Sequence, residues 1–207
     1  MCASVGDCKA FYYSIKEKSF FEITIGNRQN VTDARDCGGR LGPADPINNL
    51  PDLRNLKVYS SLLAENDIVI IVSDGVHDNL DPQLRGIPPS QFNLHYNDWQ
   101  TAEANNPNET VTAKSDFMIK IMNETVHATK STITPHLITT SLIKLAKRVT
   151  NPCRIFMEKN PSVRQPSFVF SLFPFSFHFP SLSPNCQSYS FFPPPSLLCP
   201  FISKIGG

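Results

Sequence analysis

Residues 67–80 read DIVIIVSDGVHDNL, an apolar run that leads into a polar segment with two aspartates. Its first half is a continuous apolar run of strand length, which predicts a strand buried on both faces. The run ends at Ser73 and is followed by Asp74 and Gly75. A strand that ends in Ser-Asp-Gly holds a carboxylate at the edge of a sheet, and we expect the glycine to let the backbone turn sharply.

Two aspartates four positions apart, Asp74 and Asp78, carry the first candidate chemistry. Mg²⁺ and Mn²⁺ prefer oxygen ligands, usually one or two carboxylates together with waters, so the pair is compatible with a divalent-metal site. Aspartates also stabilise turns and cap helices by accepting bonds from the backbone. On spacing alone, turn and N-cap aspartates are the favoured interpretation, and the metal site is the alternative.

The N-terminal part of the chain predicts β-structure. Residues 8–14 (CKAFYYS) and 19–25 (SFFEITI) are aromatic and β-branched and flank a charged turn, which is typical of a β-hairpin. Residues 27–55 contain repeated Gly and Pro and predict a long loop. Residues 57–63 (KVYSSLL) then predict another strand. A strand so close to the start also suggests that the sequence begins inside a domain.

The C-terminal half predicts helices. Residues 81–112 are polar and rich in Pro and Asn, and 115–127 predict a helix. Residues 134–149 are the clearest helix, because apolar side chains recur at helical spacing after Thr134, a candidate N-cap followed by proline. We expect Pro152 to stop this helix, with residues 153–159 adding one or two further turns.

Composition divides the chain in two. The formal net charge is +1, which gives no bulk electrostatic reason to expect nucleic acid or an acidic membrane as a partner. Residues 1–165 have an ordinary globular composition, whereas 166–207 lack Asp and Glu and are mostly Phe, Ser, Pro and Leu. We expect a disordered tail there, because its prolines oppose both a central strand and a membrane-spanning helix. Pyrimidine-rich codons encode these four residues, so translated non-coding sequence is a hypothesis that comparison of transcript and genome would test.

The cysteines and the N-terminus predict a cytoplasmic protein, with the nucleus as the alternative compartment. None of the six cysteines forms a CxxC pair or a zinc-site spacing, and reduced thiols are the default expectation. The first residues lack the basic and apolar regions of a signal peptide. Cys37 precedes Arg40 with only two residues between them, which excludes the C-x5-R loop of cysteine phosphatases.

Two motifs carry a resemblance to a known family. Residues 72–79 (VSDGVHDN) resemble the hydrophobic strand and S-D-G-x-x-D motif of PPM-type, or type-2C-like, metal-dependent protein serine/threonine phosphatases. Residues 5–10 (VGDCKA) are similar to the G-D-S-R-A strand start of that family, and DARDCGGRLG lies between the two motifs as in a divergent subgroup. The resemblance covers roughly residues 1–160.

The resemblance implies an α+β fold in which a β-sandwich of two antiparallel sheets is flanked by helices, here incomplete. It implies that Asp74 is a ligand of a binuclear Mg²⁺ or Mn²⁺ centre and that Asp7, Asp74 and Asp78 form an additional, weaker metal site. Gly6 and Gly75 would be turn glycines at these metal motifs. The implied activity is hydrolysis of phosphoserine or phosphothreonine on phosphoprotein substrates by a metal-bound water.

The sequence also departs from the family pattern. The D-G-H-G motif expected before residue 5 and the aspartate-led strand expected after residue 160 are not found, which predicts a domain truncated at both ends that lacks full activity. A non-catalytic pseudophosphatase or interaction fragment, or a fragment that does not fold, are the alternatives. Arg35 and Arg40 are candidate phosphate ligands, although solvated loop arginines are commoner. His77 is a candidate proton donor, but we expect an exposed loop histidine.

Overall fold

The computed structural model describes residues 1–25, 28, 37–43 and 48–161. In these ranges the chain is mixed α/β, with small antiparallel sheets and four helices, and one short 3₁₀ helix at Pro89–Phe92. The strands and helices in chain order are β1 (Cys2–Ser4), β2 (Lys9–Ser14), β3 (Ser19–Glu22), β4 (Arg40–Pro43), β5 (Pro51–Asp52), β6 (Lys57–Tyr59), β7 (Ile68–Val72), α1 (Asp74–His77), α2 (Trp99–Asn105), α3 (Pro107–His127) and α4 (Pro135–Lys159).

A three-stranded antiparallel sheet in the order β3-β2-β7 is the largest sheet in the described residues. The predicted hairpin is confirmed as β2 and β3, with Tyr13 opposite Phe20. On the other side of β2, Lys9 lies opposite Val72 of β7. Because the two strands are antiparallel, the start of β2 lies beside the end of β7.

The expectation that β7 is buried on both faces is wrong. Ile70 is partly buried and packs against the core, whereas Val69 and Ile71 are 49% and 72% exposed. Among the described residues, helices pack against one face of the sheet, so its strands alternate between buried and exposed side chains. A continuous apolar run therefore gave the correct element but the wrong environment, because apolar residues also occur on the exposed face of an antiparallel strand.

Helices α3 and α4 cover the inner face of this sheet. Phe11 and Tyr13 of β2, Met122 of α3 and Leu142 of α4 are almost completely buried in one hydrophobic cluster. Tyr13 also shares a hydrogen bond of 3.0 Å with the Nε2 atom of His127 at the end of α3. This cluster fixes the helices against the sheet, and the candidate site lies at the end of the sheet where β2 begins and β7 ends.

The predicted helices are confirmed, but their bounds differ. Helix α3 begins at Pro107, well before residue 115, and α2 lies inside the polar stretch 81–112. The lone Trp99 begins α2, is 5% exposed, and donates a hydrogen bond of 2.7 Å from its indole to the Ile87 carbonyl oxygen. Buried residues in α2 are sparse in sequence, so the stretch lacks the regular apolar period that reveals a helix.

Helix α4 begins as predicted, because the Thr134 hydroxyl accepts a hydrogen bond of 3.1 Å from the Leu137 amide. The expectation that Pro152 stops the helix is wrong, since α4 continues to Lys159. Proline removes one intrahelical donor and opposes the preceding turn, but it does not forbid continuation. Residues 153–159 are helical, as predicted.

The loop predicted over residues 27–55 contains short strands. Strand β4 pairs with β5, and β6, shorter than predicted, pairs with β1.

The packing of two sheets face to face stays a prediction. The proposed tail at 166–207 lies outside the described residues. In the parts of the chain that are described, no helix is both long enough and apolar enough to cross a bilayer.

Candidate functional site

The antiparallel pairing of β2 with β7 places Asp7 and Asp74 at the same end of the sheet. Asp7 lies two residues before the first residue of β2, and Asp74 lies two residues after the last residue of β7. Since Lys9 and Val72 are partners in the register, both carboxylates leave the sheet at one point. One strand pair thus brings together Asp7 and Asp74, which are 67 positions apart in the sequence.

Asp78 joins these two residues through helix α1. Its backbone amide donates to the Asp74 carbonyl oxygen at 3.0 Å, so the two aspartates lie one helical turn apart. The predicted exposure of His77 is wrong, because this residue is only 6% exposed. Its Nε2 atom lies 2.8 Å from the Asp7 carbonyl oxygen and its Nδ1 atom lies 3.2 Å from Asp78 Oδ1. His77 therefore ties α1 to the start of β2.

The end of the β2–β3 hairpin brings a cation to the same point. The amides of Ile23 and Thr24 both donate to the Ala10 carbonyl oxygen, at 2.8 and 3.2 Å. The Thr24 hydroxyl in turn accepts from the Ala10 amide at 2.8 Å. The regular hydrogen-bond pattern between β2 and β3 ends where these two successive amides share one carbonyl oxygen. Arg28 follows within a few residues.

The Arg28 guanidinium contacts all three aspartates. Its Nε and Nη2 atoms lie 2.8 and 2.6 Å from Asp7 Oδ2, its Nη1 atom 2.8 Å from Asp78 Oδ2, and its Nη2 atom 3.1 Å from Asp74 Oδ2. The Arg28 side chain is 5% exposed. Charge-assisted bonds of this kind are roughly twice as strong as neutral ones. The three carboxylates are thus joined by one buried cation, which we call the Arg28 cluster.

The pKa values of the Arg28 cluster follow from this pairing. Burial on its own raises the pKa of Asp78, but hydrogen bonds and charge from His77 and Arg28 outweigh burial, and the pKa of Asp78 lies below its ordinary value. Burial also disfavours the charged form of Arg28, yet Asp78 and Asp7 raise its pKa above the ordinary value. Asp78 and Arg28 therefore both remain charged at neutral pH.

Sequence reasoning missed Arg28 and named two other arginines. Arg35 lies outside the described residues, and Arg40 is an exposed residue at the start of β4. No spacing or motif marks Arg28, because its position depends on where the hairpin ends relative to β7. The pairing of Ala10 with residues after β3 is a tertiary feature, so only the structure reveals it.

The residues of the Arg28 cluster do not fit a metal centre as they are arranged. Divalent ions of this class need several oxygen atoms within about 2.0–2.6 Å of one point. Here the three Oδ2 atoms are arranged around the edges of a planar guanidinium, which occupies the space between them and offsets one of their three charges. Among the described residues, no group of three or more His, Cys, Asp or Glu is placed to hold a metal ion. The assignment of Asp7, Asp74 and Asp78 as metal ligands stays a prediction.

Gly75 does not have the turn role expected of it. It lies in α1, and its amide donates 2.6 Å to Asp74 Oδ1. A Cβ atom added to Gly75 would have Ser73 Oγ as its nearest neighbour, at 3.7 Å, which is ordinary contact. Gly6, in contrast, has a φ of +96°, and a Cβ atom there would lie 3.3 Å from the Gly39 carbonyl oxygen. Of these two glycines, Gly6 is the one that needs the conformational freedom of glycine.

We therefore expect Gly75→Ala to leave the free energy of unfolding unchanged or to raise it by up to about 1 kcal/mol, since alanine is the better helix former. The matched variant Gly6→Ala should lower that free energy by about 1–3 kcal/mol, because alanine is strained at positive φ. Urea denaturation of both variants measures the difference. Equal losses in the two variants would contradict the distinction.

The cysteine next to the cluster, Cys8, is a poor nucleophile. The residue is largely exposed, but partial burial of its thiol and the charges of Asp7 and Asp74 raise its pKa above the ordinary value. A thiol with a raised pKa has little thiolate at neutral pH. Cysteine-dependent phosphate chemistry is therefore not supported at this site.

Comparison with known proteins gives one partial similarity. The chain is 40% identical over 81 residues to the PP2C-like domain-containing protein CG9801 of Drosophila melanogaster. The aligned region covers 38% of this chain and 11% of that relative. The chain thus aligns with only a small part of the relative's length. No protein-family profile matches the chain, and no solved structure matches it. The similarity points at most to a PP2C-like family, in agreement with the resemblance carried by residues 5–10 and 72–79.

Proposed function

We propose that this chain is a non-catalytic, pseudophosphatase-type segment of a PP2C-like domain. The observation that carries the proposal is the convergence of Asp7, Asp74 and Asp78 on one guanidinium. All three residues come from the two motifs that resemble the metal motifs of that family, and the partial similarity to a PP2C-like protein supports the same origin. Hydrolysis by such a site requires metal ions that activate water. In the Arg28 cluster the guanidinium, and not a metal ion, lies between the carboxylates that would have to hold such ions.

The second candidate is metal-dependent hydrolysis of phosphoserine or phosphothreonine on phosphoproteins with Mg²⁺ or Mn²⁺. The observation that favours it is that the same three carboxylates are oxygen ligands of the type these ions prefer. It requires the ions to displace Arg28 or to bind elsewhere in the chain. No step of that reaction can be assigned to the described residues as they stand.

A phosphatase assay separates the two candidates. The purified chain is incubated with a phosphothreonine peptide in the presence of Mn²⁺ and, in parallel, of EDTA. We expect the same phosphate release in both, at the rate of a buffer blank, because Arg28 lies between the carboxylates that would have to hold the water-activating ions. The variant Asp74→Asn serves as the matched control. Mn²⁺-dependent release that Asp74→Asn abolishes would refute the non-catalytic proposal and establish the second candidate.

A further inference from the structure

We propose that the Arg28 guanidinium is a built-in cation that takes the place of a divalent ion between Asp7, Asp74 and Asp78, and that removing its charge converts the Arg28 cluster into a Mn²⁺ site. The inference deepens the proposed function and rests on it for the class of ion. It assigns to one residue of this chain the position between the three carboxylates.

The geometry explains why arginine can take this place. A guanidinium carries five N–H donors in a rigid planar fork, so it can satisfy several carboxylates at once. Arg28 uses Nε, Nη1 and Nη2, and each aspartate contributes its Oδ2 atom. A lysine ammonium is a compact point charge and does not reproduce this spread of contacts. The arrangement therefore depends on arginine and not on positive charge alone.

The electrostatics explain why Arg28 stays charged between the three carboxylates. Three carboxylates surround one cation whose side chain is 5% exposed, so removal of the cation leaves three negative charges close together. Since the pKa of Arg28 is raised further by Asp78 and Asp7, no accessible pH discharges it. Three carboxylates held close together repel one another strongly. A small divalent ion is the most effective replacement for the guanidinium charge.

The cluster is also open to ions from solvent. A pocket of about 110 Å³ adjoins it, and Asp7, Arg28 and Asp78 line one side. Asp74 is 49% exposed on its own side of the guanidinium. An ion in this pocket can therefore approach Asp7 and Asp78, and Asp74 is accessible from solvent.

The experiment is a Mn²⁺ titration followed by isothermal calorimetry and by thermal unfolding. The variants are Arg28→Met, which keeps an aliphatic stem without charge, and Arg154→Met, which removes the same charge from an exposed pair with Glu158 on α4. We expect Arg28→Met to bind one Mn²⁺ with an affinity on the order of a hundredfold above that of the wild type, and Mn²⁺ to raise its Tm. Arg154→Met should behave as the wild type. Adding Asp78→Asn to Arg28→Met should abolish the gain.

Two results would overturn the inference. One is wild-type binding of Mn²⁺ that Asp78→Asn removes, because the cluster would then accept an ion with Arg28 present. The other is a folded Arg28→Met variant with no gain in Mn²⁺ affinity. If Arg28→Met does not fold, the wild-type titration against Asp78→Asn decides alone, and absence of an Asp78-dependent site supports the inference. Phosphate release is measured separately, so turnover would refute the proposed function without being confused with ion binding.

Discussion

Replacing Phe11 by alanine is expected to lower the free energy of unfolding by about 3–5 kcal/mol. Phe11 lies in the middle of β2, is completely buried, and belongs to the cluster that holds α3 and α4 on the sheet. Truncation removes the apolar contacts of a whole aromatic ring and leaves a cavity that neighbouring side chains fill only in part. Urea denaturation monitored by circular dichroism measures the loss.

Phe21 provides the matched control for this prediction. It belongs to the same hairpin, but it is 36% exposed on the opposite face of the sheet, where its ring stacks on Tyr12 with a centroid distance of 5.0 Å. We expect Phe21→Ala to cost only about 1 kcal/mol, the typical value of an aromatic pair on an open surface. Similar losses at Phe11 and Phe21 would mean that both faces of the sheet are covered, contrary to the described structure.

The second large effect is expected at Gly39, where alanine should lower the free energy of unfolding by about 3 kcal/mol. Gly39 has a φ of +143°, and an added Cβ atom would lie 2.5 Å from Asn55 Oδ1 and 2.8 Å from the Asp52 carbonyl oxygen. Neither neighbour is free to move. The Asp52 oxygen belongs to the backbone, and Asn55 is buried with both ends of its amide bonded to Gly6.

The Gly6–Asn55 hydrogen bonds explain why Gly39→Ala would also disturb the Arg28 cluster. The Gly6 amide donates to Asn55 Oδ1 at 3.1 Å, and Asn55 Nδ2 donates to the Gly6 carbonyl oxygen at 2.8 Å. Displacing Asn55 would leave buried polar groups of the residue next to Asp7 without partners, which is costly.

Gly42→Ala is the control for Gly39→Ala. No atom lies within 4 Å of a Cβ added to Gly42, and its φ is not in the left-handed region. We expect its free energy of unfolding to stay within about 0.5 kcal/mol of the wild type, as for most surface substitutions. Urea denaturation compares the two variants. A Gly39→Ala protein as stable as Gly42→Ala would show that Asn55 does not lie against Gly39 and Gly6 as described.

Local sequence patterns predicted the elements that depend on neighbouring residues. The hairpin of β2 and β3 follows from two aromatic segments around a charged turn, and the start of α4 follows from Thr134 and Pro135. They did not predict α2, whose anchor is a single tryptophan bonded to a carbonyl 12 positions earlier in the chain. They also assigned the wrong environment to β7, because burial depends on which face of the sheet the helices cover.

Local sequence was enough to predict the strand at 68–72 and, through its two motifs, to mark Asp7, Asp74 and Asp78 as candidate site residues. What these aspartates contact depends on the tertiary fold. The antiparallel register of β2 and β7 brings Asp7 to Asp74, and the end of the β2–β3 hairpin brings Arg28 between them. The physical reason is that a motif specifies ligands within a few residues of each other, whereas a counter-charge is supplied by whichever segment the packing brings within hydrogen-bond distance.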